Sequence, residues 1–313
     1  MTTQEQDTLF DHEEAVFNLQ FSIVLVEHLR LLSRVLHKQY ALSLNEYCVI
    51  VLIDALDQEI SSTLLAQYFI FKRGTLLAML ASLEDRELII KNTDPVDRRA
   101  MLISLTAEGH KLAHALAQKV SKLMKMTFWQ SFPSSEYLAP LKGLEAQLAG
   151  IRGYPLDIPL AWNTKGITHA LLFRIIRLIV DQWNDAVRQH STLSFNECRV
   201  LLLLELYDRL KPSDIAQRLH LPRSGVSLML KSLVDRKLIV SETSYRDGRS
   251  KVFRCTAAAL TLSRKLLFVL RRTTFEAYKT YSDDAIITLN AQHIRMYSDL
   301  HRANHALDDI LSK

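Results

Sequence analysis

Residues 82–89 read SLEDRELI and recur at residues 232–239 as SLVDRKLI, with six of the eight positions identical. Further matches flank this segment at the same offset of 150 residues: Arg73 with Arg223, Ala66-Gln67 with Ala216-Gln217, Met79-Leu80 with Met229-Leu230, and Thr106-Ala107 with Thr256-Ala257. A repeat of this length is a whole domain and not a solenoid unit of about 20–50 residues. The sequence therefore predicts two like domains, whose pairing within one chain would imitate a two-fold homodimer.

Composition and one segment between the copies set the expected domain bounds. The chain has 313 residues, of which 48% are hydrophobic and 23% charged, which is typical of folded domains of ordinary size. Residues 150–166 hold three of the eight glycines and two of the seven prolines. We predict a first domain at 1–150, a linker at 151–166 and a second domain at 167–313.

Charge, cysteine usage and hydropathy limit the function classes. The net charge of +5 is compatible with a polyanionic partner but is small for this length. The three cysteines form no CxxC pair, and the start of the chain is polar, unlike a signal peptide. The most apolar stretch, 170–180, contains Arg174 and Arg177 and is too short to span a bilayer. These features predict a cytoplasmic protein without a membrane partner.

Both copies have the same order of predicted elements. A long amphipathic helix precedes a capping box, SLNE at 43–46 and SFNE at 194–197, which starts a very apolar helix. Two helices separated by a brief turn follow, at 61–68 and 72–86 and again at 212–219 and 222–237, which is a helix-turn-helix pattern. Strand-like runs then flank a charged turn, and long helices close each copy. The expected class is mainly α with small β-hairpins.

The first hairpin carries a family resemblance. Residues 94–100, DPVDRRA, leading into LTAEG at 105–109, resemble the signature of the MarR family of transcription regulators, and 83–89 are similar to the end of that family's recognition helix. The second hairpin, DGR at 247–249, matches more loosely and chiefly through the repeat. The resemblance implies two tandem winged helix-turn-helix domains, with long dimerisation-type helices that form an intramolecular pseudo-dimer.

The function implied by the resemblance is that of a DNA-binding transcription regulator, most simply a repressor, on an imperfect palindromic operator in double-stranded DNA. Residues near the start of each second helix would read base edges, and each wing would enter a minor groove. No catalytic motif is present, so we expect neither an enzyme nor a cofactor. The implied DNA-contacting residues are Arg73, Thr75, Arg98 and Arg99 in the first copy, and Arg223, Ser224, Ser227, Lys231, Arg246 and Arg249 in the second.

The chain departs from the family pattern in both copies, at more positions in the first. Leu77, Ala78 and Ala81 stand where relatives usually have polar or basic residues, and in the second copy Gly248 replaces a wing arginine. The two copies are therefore expected to read different half-sites. The apolar helix also leaves an alternative open: a winged-helix module that does not bind DNA and instead captures another regulator or a polymerase component.

Ligand and metal sites are less well indicated. Relatives bind small aromatic or amphipathic effectors, which makes such an effector a candidate partner. Five aromatic side chains could line its site, but packing explains them more simply, and no ligand-binding residues are assigned. These five are Phe17, Phe21, Trp129, Trp162 and Trp183.

The pairs His110/His114 and His301/His305 have metal-ligand spacing but no acidic companion fixed by spacing, so we expect solvated helix faces and no metal. Cys48 and Cys198 lie on apolar helices and are expected to be buried, inert thiols.

Overall fold

The structure is a computed structural model, and it describes residues 17–56, 58–69, 71–95, 100–130, 167–243, 250–278 and 282–312. Its elements confirm the mainly α class with small hairpins. In the first copy they are α1 (Leu19–Tyr40), α2 (Leu44–Leu56), β1 (Ile60–Ser61), α3 (Ser62–Phe69), α4 (Arg73–Asp85), β2 (Ile89–Thr93), β3 (Met101–Leu105) and α5 (Ala107–Met126). In the second they are α6 (Ile167–His190), α7 (Phe195–Tyr207), α8 (Pro212–Arg218), α9 (Arg223–Asp235), β4 (Ile239–Thr243), β5 (Lys251–Cys255), α10 (Ala257–Tyr278) and α11 (Asp283–Ser312). The helix expected at 134–149 lies outside the described residues.

Capping boxes begin the two central helices, as predicted. In the first copy the Ser43 backbone N–H donates to Glu46 Oε2 at 2.7 Å, and the Glu46 N–H donates to Ser43 Oγ at 3.2 Å. Ser194 and Glu197 repeat the exchange at 2.8 and 3.2 Å. Each box satisfies donors that a helix start would otherwise leave unpaired. The helices that they begin, α2 and α7, are buried along most of their length.

The two copies differ in their sheets. In the first copy the strand order is β1-β3-β2, with Ile60 opposite Ile103 and Thr93 opposite Met101. Strand β1 corrects the sequence reading, which began a helix at residue 61: two residues are too short to display the alternation that marks a strand. In the second copy β4 pairs with β5, and a single bridge between Leu210 and Phe253 takes the place of the third strand.

Helices α4 and α9 end in the same way and turn the chain into a strand. Glu87 and Lys237 adopt positive φ angles of 57° and 58°, a position where glycine is more usual. Leu88 and Leu238 then donate their N–H groups back to the carbonyls five residues earlier, each at 3.0 Å. For residues with a side chain this conformation costs roughly 1 kcal/mol of strain. The hydrogen bonds and the burial of the following strand offset that cost.

Packing divides the described chain into two compact units that do not follow the repeat boundaries. Unit one contains residues 17–27 and 179–294, and unit two contains 28–178 and 295–312. Each unit therefore holds one winged-helix region together with a segment from the other end of the chain. Helices α1, α6 and α11 are each shared between the units, at residues 27/28, 178/179 and 294/295.

The core of unit one is centred on an aromatic cluster. Trp183 is fully buried and donates its indole N–H to Thr274 Oγ1 at 2.8 Å. Phe17 and Phe21 meet the Trp183 ring edge-on, with centroids 5.1 and 5.7 Å away, and Phe195 stacks on it at 5.4 Å. These rings are close-packed core, which agrees with the packing interpretation of three of the aromatic residues singled out above. Trp162 lies outside the described residues.

Unit two is built around α2. Tyr47, Val49 and Ile50 are fully buried, and α2 packs against α5 and β3. At the end of α5, Phe128 stacks on the His28 ring with a centroid distance of 3.4 Å. This core supports one face of α4 through Leu76, Leu80 and Leu83.

Candidate nucleic-acid interface

Helix α9 presents one buried face and one hydrogen-bonding face. Val226, Leu230 and Leu233 are buried against the unit. Four of the residues predicted from the sequence share the exposed side: Arg223, Ser224, Ser227 and Lys231. The Ser227 hydroxyl donates to the Arg223 carbonyl at 3.0 Å, so its oxygen remains able to accept a hydrogen bond. This face offers two cations and two hydroxyl groups to a ligand.

Helix α4 buries the equivalent positions within its own unit but exposes a different face. Arg73 and Thr75, two of the residues that the resemblance implies, are exposed in its first turn. Beyond them the exposed side is apolar, formed by Leu77, which is 42% exposed, and by Ala78 and Ala81. The buried positions of α4 and α9 correspond, so equivalent positions are exposed in both helices. The two exposed faces differ only in the chemistry of their side chains.

A serine–carboxylate link fixes each of these helices to the start of the preceding apolar helix. Ser82 Oγ donates to Glu46 Oε1 at 2.9 Å, and Ser232 Oγ donates to Glu197 Oε1 at 2.8 Å. The carboxylates are the same ones that complete the two capping boxes. The sequence shows that these serines and glutamates recur in both copies, but it does not show that they are in contact. Their recurrence was the one sequence signal that could have indicated the contact.

An arginine ties each second helix to the end of the long helix that opens its copy. Arg86 donates to the carbonyls of Tyr40 and Ala41 at 2.9 and 3.0 Å, where α1 ends and its last carbonyls lack helical partners. Arg236 donates to the Thr192 carbonyl at 3.1 Å, just after α6. These hydrogen bonds join α4 to the end of α1, and α9 to the segment that follows α6.

The Glu197 link has an electrostatic consequence. Burial raises the pKa of Glu197, but hydrogen bonds from the Ser194 backbone and from the Ser232 and Ser194 hydroxyls, with the charge of Arg236, outweigh it and hold the pKa below its usual value. A carboxyl whose pKa is lower in the folded state stabilises the fold above its unfolded pKa, and loses that contribution as the pH falls through the folded pKa.

Replacing Glu197 with glutamine should therefore destabilise unit one at neutral pH by about 1–2 kcal/mol, because hydrogen bonds to a charged acceptor are removed. The difference from the unmodified chain should shrink as the pH falls from about 4, near the unfolded pKa, through the lower folded pKa, below which the carboxyl is protonated in either state. Chemical denaturation across pH 3–8 measures it. Glu108→Gln is the control: this exposed carboxylate faces Lys111 at 3.5 Å and should change stability by under about 0.5 kcal/mol. A pH-independent loss at Glu197 would contradict the expectation.

Paired strands close the base of each wing. In the first, Thr93 lies opposite Met101, and the Asp94 N–H donates to the Ala100 carbonyl at 3.2 Å. In the second, Thr243 lies opposite Lys251. The predicted wing residues lie between these pairs but outside the described residues: Arg98 and Arg99 in the first wing, and Arg246 and Arg249 in the second.

Polar contacts brace the wing bases differently in the two copies. Glu242 accepts from Arg254 and, at 3.2 Å, from Arg209, and these hydrogen bonds and charges hold the pKa of Glu242 below its usual value. At the matching place in the first copy, Asn92 donates to Glu59 at 3.2 Å. The order of the partners is reversed, with the acid on the hairpin in one copy and before it in the other.

The side chains of His110 and His114 are about half exposed on α5, and they have a neighbour that sequence spacing did not reveal. This acidic companion is the buried Asp54 of α2, whose oxygens lie 2.8 Å from His110 Nδ1 and 3.5 Å from His114 Nε2. The pattern missed it because Asp54 is 56 residues away in sequence. Within the described ranges, no group of three or more histidine, cysteine or acidic side chains is arranged to hold a metal ion. Of the pair His301/His305, only the helical backbone falls within those ranges.

The cysteines are buried, as expected. Burial raises the pKa of Cys48 and Cys198 to about 12, so both stay protonated thiols at neutral pH.

No helix among the described residues has the length and apolar character needed to cross a membrane.

Comparisons with known proteins place a regulator domain in each half of the chain. The MarR family matches residues 191–250, and the transcriptional regulator SarA/Rot family matches residues 31–116. These are families of transcription regulators and not of enzymes. No curated protein sequence matches the chain significantly.

Solved structures of similar proteins each cover less than half of the chain. Wild-type MarR from E. coli is 16% identical over 43% of this chain and 93% of its own, with a TM-score of 0.35. AbsC from Streptomyces coelicolor is 18% identical over 44% and 99%, with a TM-score of 0.38. The S. aureus MepR–DNA complex is 27% identical over 31% and 81%, with a TM-score of 0.27.

The two family matches occupy different halves of the chain, and each includes the helix-turn-helix of its copy. The wing strands that follow lie at corresponding positions in the two copies. Each copy therefore contains a winged-helix region that is similar to a family of transcription regulators, SarA/Rot in the first copy and MarR in the second.

Proposed function

We propose that the chain binds double-stranded DNA and represses transcription by blocking access of polymerase to an imperfect palindromic operator. Copies 1–150 and 167–313, joined by the linker 151–166, act as an intramolecular pseudo-dimer in this proposal. The observation that carries it is the duplicated helix-turn-helix, whose second helix in each copy exposes an arginine in its first turn. A helix in this setting enters the major groove with its first residues toward the base edges.

Each predicted DNA-binding residue has a role in this proposal. Arg223 and Lys231 offer cations to guanine edges or phosphates, and Ser224 and Ser227 offer hydroxyl groups. Arg73 and Thr75 do the same at the start of α4. The wing arginines Arg98, Arg99, Arg246 and Arg249 insert into flanking minor grooves, where the negative potential is concentrated.

The proposal includes a route for an effector. A small aromatic or amphipathic ligand that shifts α1 or α6 would move α4 or α9 through Arg86 or Arg236. Because the spacing of the two second helices must match the two half-sites, such a shift would lower affinity. The residues that would bind the effector are not assigned.

The wing assignment predicts the effect of a double substitution. Arg99→Ala with Arg249→Ala should weaken binding to a selected operator by roughly tenfold per arginine. It should also reduce the slope of log affinity against log salt by about 1 for each phosphate that an arginine no longer neutralises. Fluorescence anisotropy at several salt concentrations measures both quantities, on an operator selected from a random DNA pool.

The control removes the same charge elsewhere. Lys111 and Lys265 are exposed on α5 and α10, and changing both to alanine should leave the salt slope unchanged. Equal slopes for the arginine variant and the unmodified chain would contradict the wing assignment. A chain that binds no DNA at any salt concentration would favour the alternative of a protein-interaction module, for which the apolar face of α4 is the specific support.

A further inference from the structure

The exposed faces of α4 and α9 differ at three equivalent positions. At the offset of 150 residues, Leu77 corresponds to Ser227, Ala78 to Leu228 and Ala81 to Lys231. In α4 all three side chains are apolar, whereas α9 keeps a hydroxyl group and a cation beside Leu228, which is 71% exposed. The buried residues that orient each helix correspond, so the two faces point the same way within their own domains. The difference therefore concerns what each face can recognise.

The chemistry of the major groove limits what an apolar face can recognise. Base edges there present hydrogen-bond donors and acceptors, and the one apolar group is the 5-methyl of thymine. An apolar side chain over a guanine or cytosine edge removes water from polar atoms without replacing their hydrogen bonds, which is unfavourable. The same side chain over a thymine methyl buries apolar surface on both partners.

Charge along α4 shows which part of the helix approaches a polyanion. Lys72 and Arg73 are exposed at its start, and Glu84 and Asp85 are exposed at its end. The acidic end would be repelled by phosphates, so the part of the helix before Glu84 is the part that fits against DNA. Leu77, Ala78 and Ala81 lie between these charges. Two of the three are alanines, which is a small apolar area for a protein partner but matches the size of single methyl groups.

On the basis of the proposed function, we infer that the two copies read chemically different half-sites. The first copy reads thymine methyl groups through Leu77, Ala78 and Ala81, with Arg73 as its anchor. The second reads a guanine-containing half-site, in which Arg223 and Lys231 donate to guanine edges and the Ser227 hydroxyl oxygen accepts from the amino group of a paired cytosine. The operator is accordingly asymmetric, with a thymine-rich half for the first copy, and the chain binds it in one orientation.

Uracil substitution tests this inference, because deoxyuridine keeps the base pairing of thymine and lacks only the methyl group. Full-length protein is titrated with its selected operator after thymines are replaced by uracil in one half-site at a time. Each contacted methyl that is removed from the first-copy half should weaken binding about fourfold, the equivalent of one buried methylene group. The same replacement in the other half should have little effect.

A variant connects the effect to α4. Leu77→Ser introduces the residue of the second copy at a half-exposed site, so folding should be retained, and the thermal midpoint checks this. The variant should lose the contribution of the methyl group that Leu77 contacts, so uracil replacement should weaken its binding about fourfold less than it weakens binding of the unmodified chain. Ser227→Ala, at the equivalent position of α9, is the matched control and should leave the dependence on methyl groups intact.

The outcomes are distinguishable. Tight binding with equal affinity for thymine and uracil in both halves overturns the inference and leaves DNA binding in place, as does a selected operator without thymine in either half-site. A methyl dependence that Leu77→Ser does not alter also overturns it. Failure to bind any DNA in the selection overturns the proposed function itself.

Discussion

Replacing Trp183 with alanine should lower the free energy of unfolding of unit one by about 3–5 kcal/mol, the usual range for removal of a fully buried tryptophan. The substitution removes the ring against which Phe17, Phe21 and Phe195 pack. It also removes the indole N–H that donates to Thr274 Oγ1. The cavity left behind is bordered by three other aromatic rings that cannot collapse into it without leaving their own positions.

Hydrogen exchange measured peptide by peptide assigns the Trp183→Ala loss to one unit. Peptides from 179–278, together with those from 17–27, should exchange faster, while peptides from α2 and α4 should be unchanged. Phe268→Ala is the matched control, since this ring lies on α10 in the same unit but is 47% exposed, and should cost well under about 1 kcal/mol. Faster exchange confined to residues 28–130 would show that the ring does not hold unit one together.

Replacing Gly109 with alanine should destabilise unit two by about 1–3 kcal/mol or more, as overpacking does. A Cβ at this position would lie 2.1 Å from the carbonyl oxygen of Leu88, which is backbone and cannot rotate away. That oxygen also accepts the N–H of Thr106 at 3.1 Å, a bond that joins the end of α4 to the start of α5. Movement of either group would disturb the turn that leads into the first wing.

Gly74→Ala is the control for Gly109→Ala. A Cβ on Gly74 would have no atom within 4 Å, so alanine there should stabilise α4 by up to about 1 kcal/mol through its better helix propensity. Thermal or urea denaturation of both variants gives the comparison. If Gly109→Ala proves as stable as the unmodified chain, the close approach of α5 to Leu88 is wrong. The second copy has Ala259, fully buried, at the matching position, so its α10 must approach Leu238 differently.

Local patterns predicted much of each domain. The capping boxes, the helix-turn-helix pairs and the hairpins all follow from residue types at short spacing, where propensity and hydrogen bonding act over a single turn. The family resemblance, and not a local pattern, singled out Arg73, Thr75, Arg223, Ser224, Ser227 and Lys231, and all six are exposed in the structure. Strand β1 escaped prediction because its two residues pair with β3 about 40 positions later, and no local pattern records that pairing.

Contacts between distant residues account for what the sequence did not reveal. The links from Ser82 to Glu46 and from Arg86 to Tyr40 join residues 36 and 46 positions apart. Asp54 reaches His110 across 56 positions. In each case the sequence shows the residue types but not that the two residues are close together, because the packing of the helices determines which distant residues meet. The internal repeat was the one sequence signal for such contacts, since it singled out Ser82, Arg86 and Glu46 as shared with the second copy.

The discontinuity of unit one bears on synthesis of the chain. Its first segment, 17–27, leaves the ribosome about 150 residues before the segment that begins at residue 179, a delay of roughly 10–30 s at ordinary elongation rates. During that interval Phe17 and Phe21 have no Trp183 to pack against. Until residue 183 has been synthesised, the side chains of Phe17 and Phe21 therefore lack the ring that buries them in the folded unit.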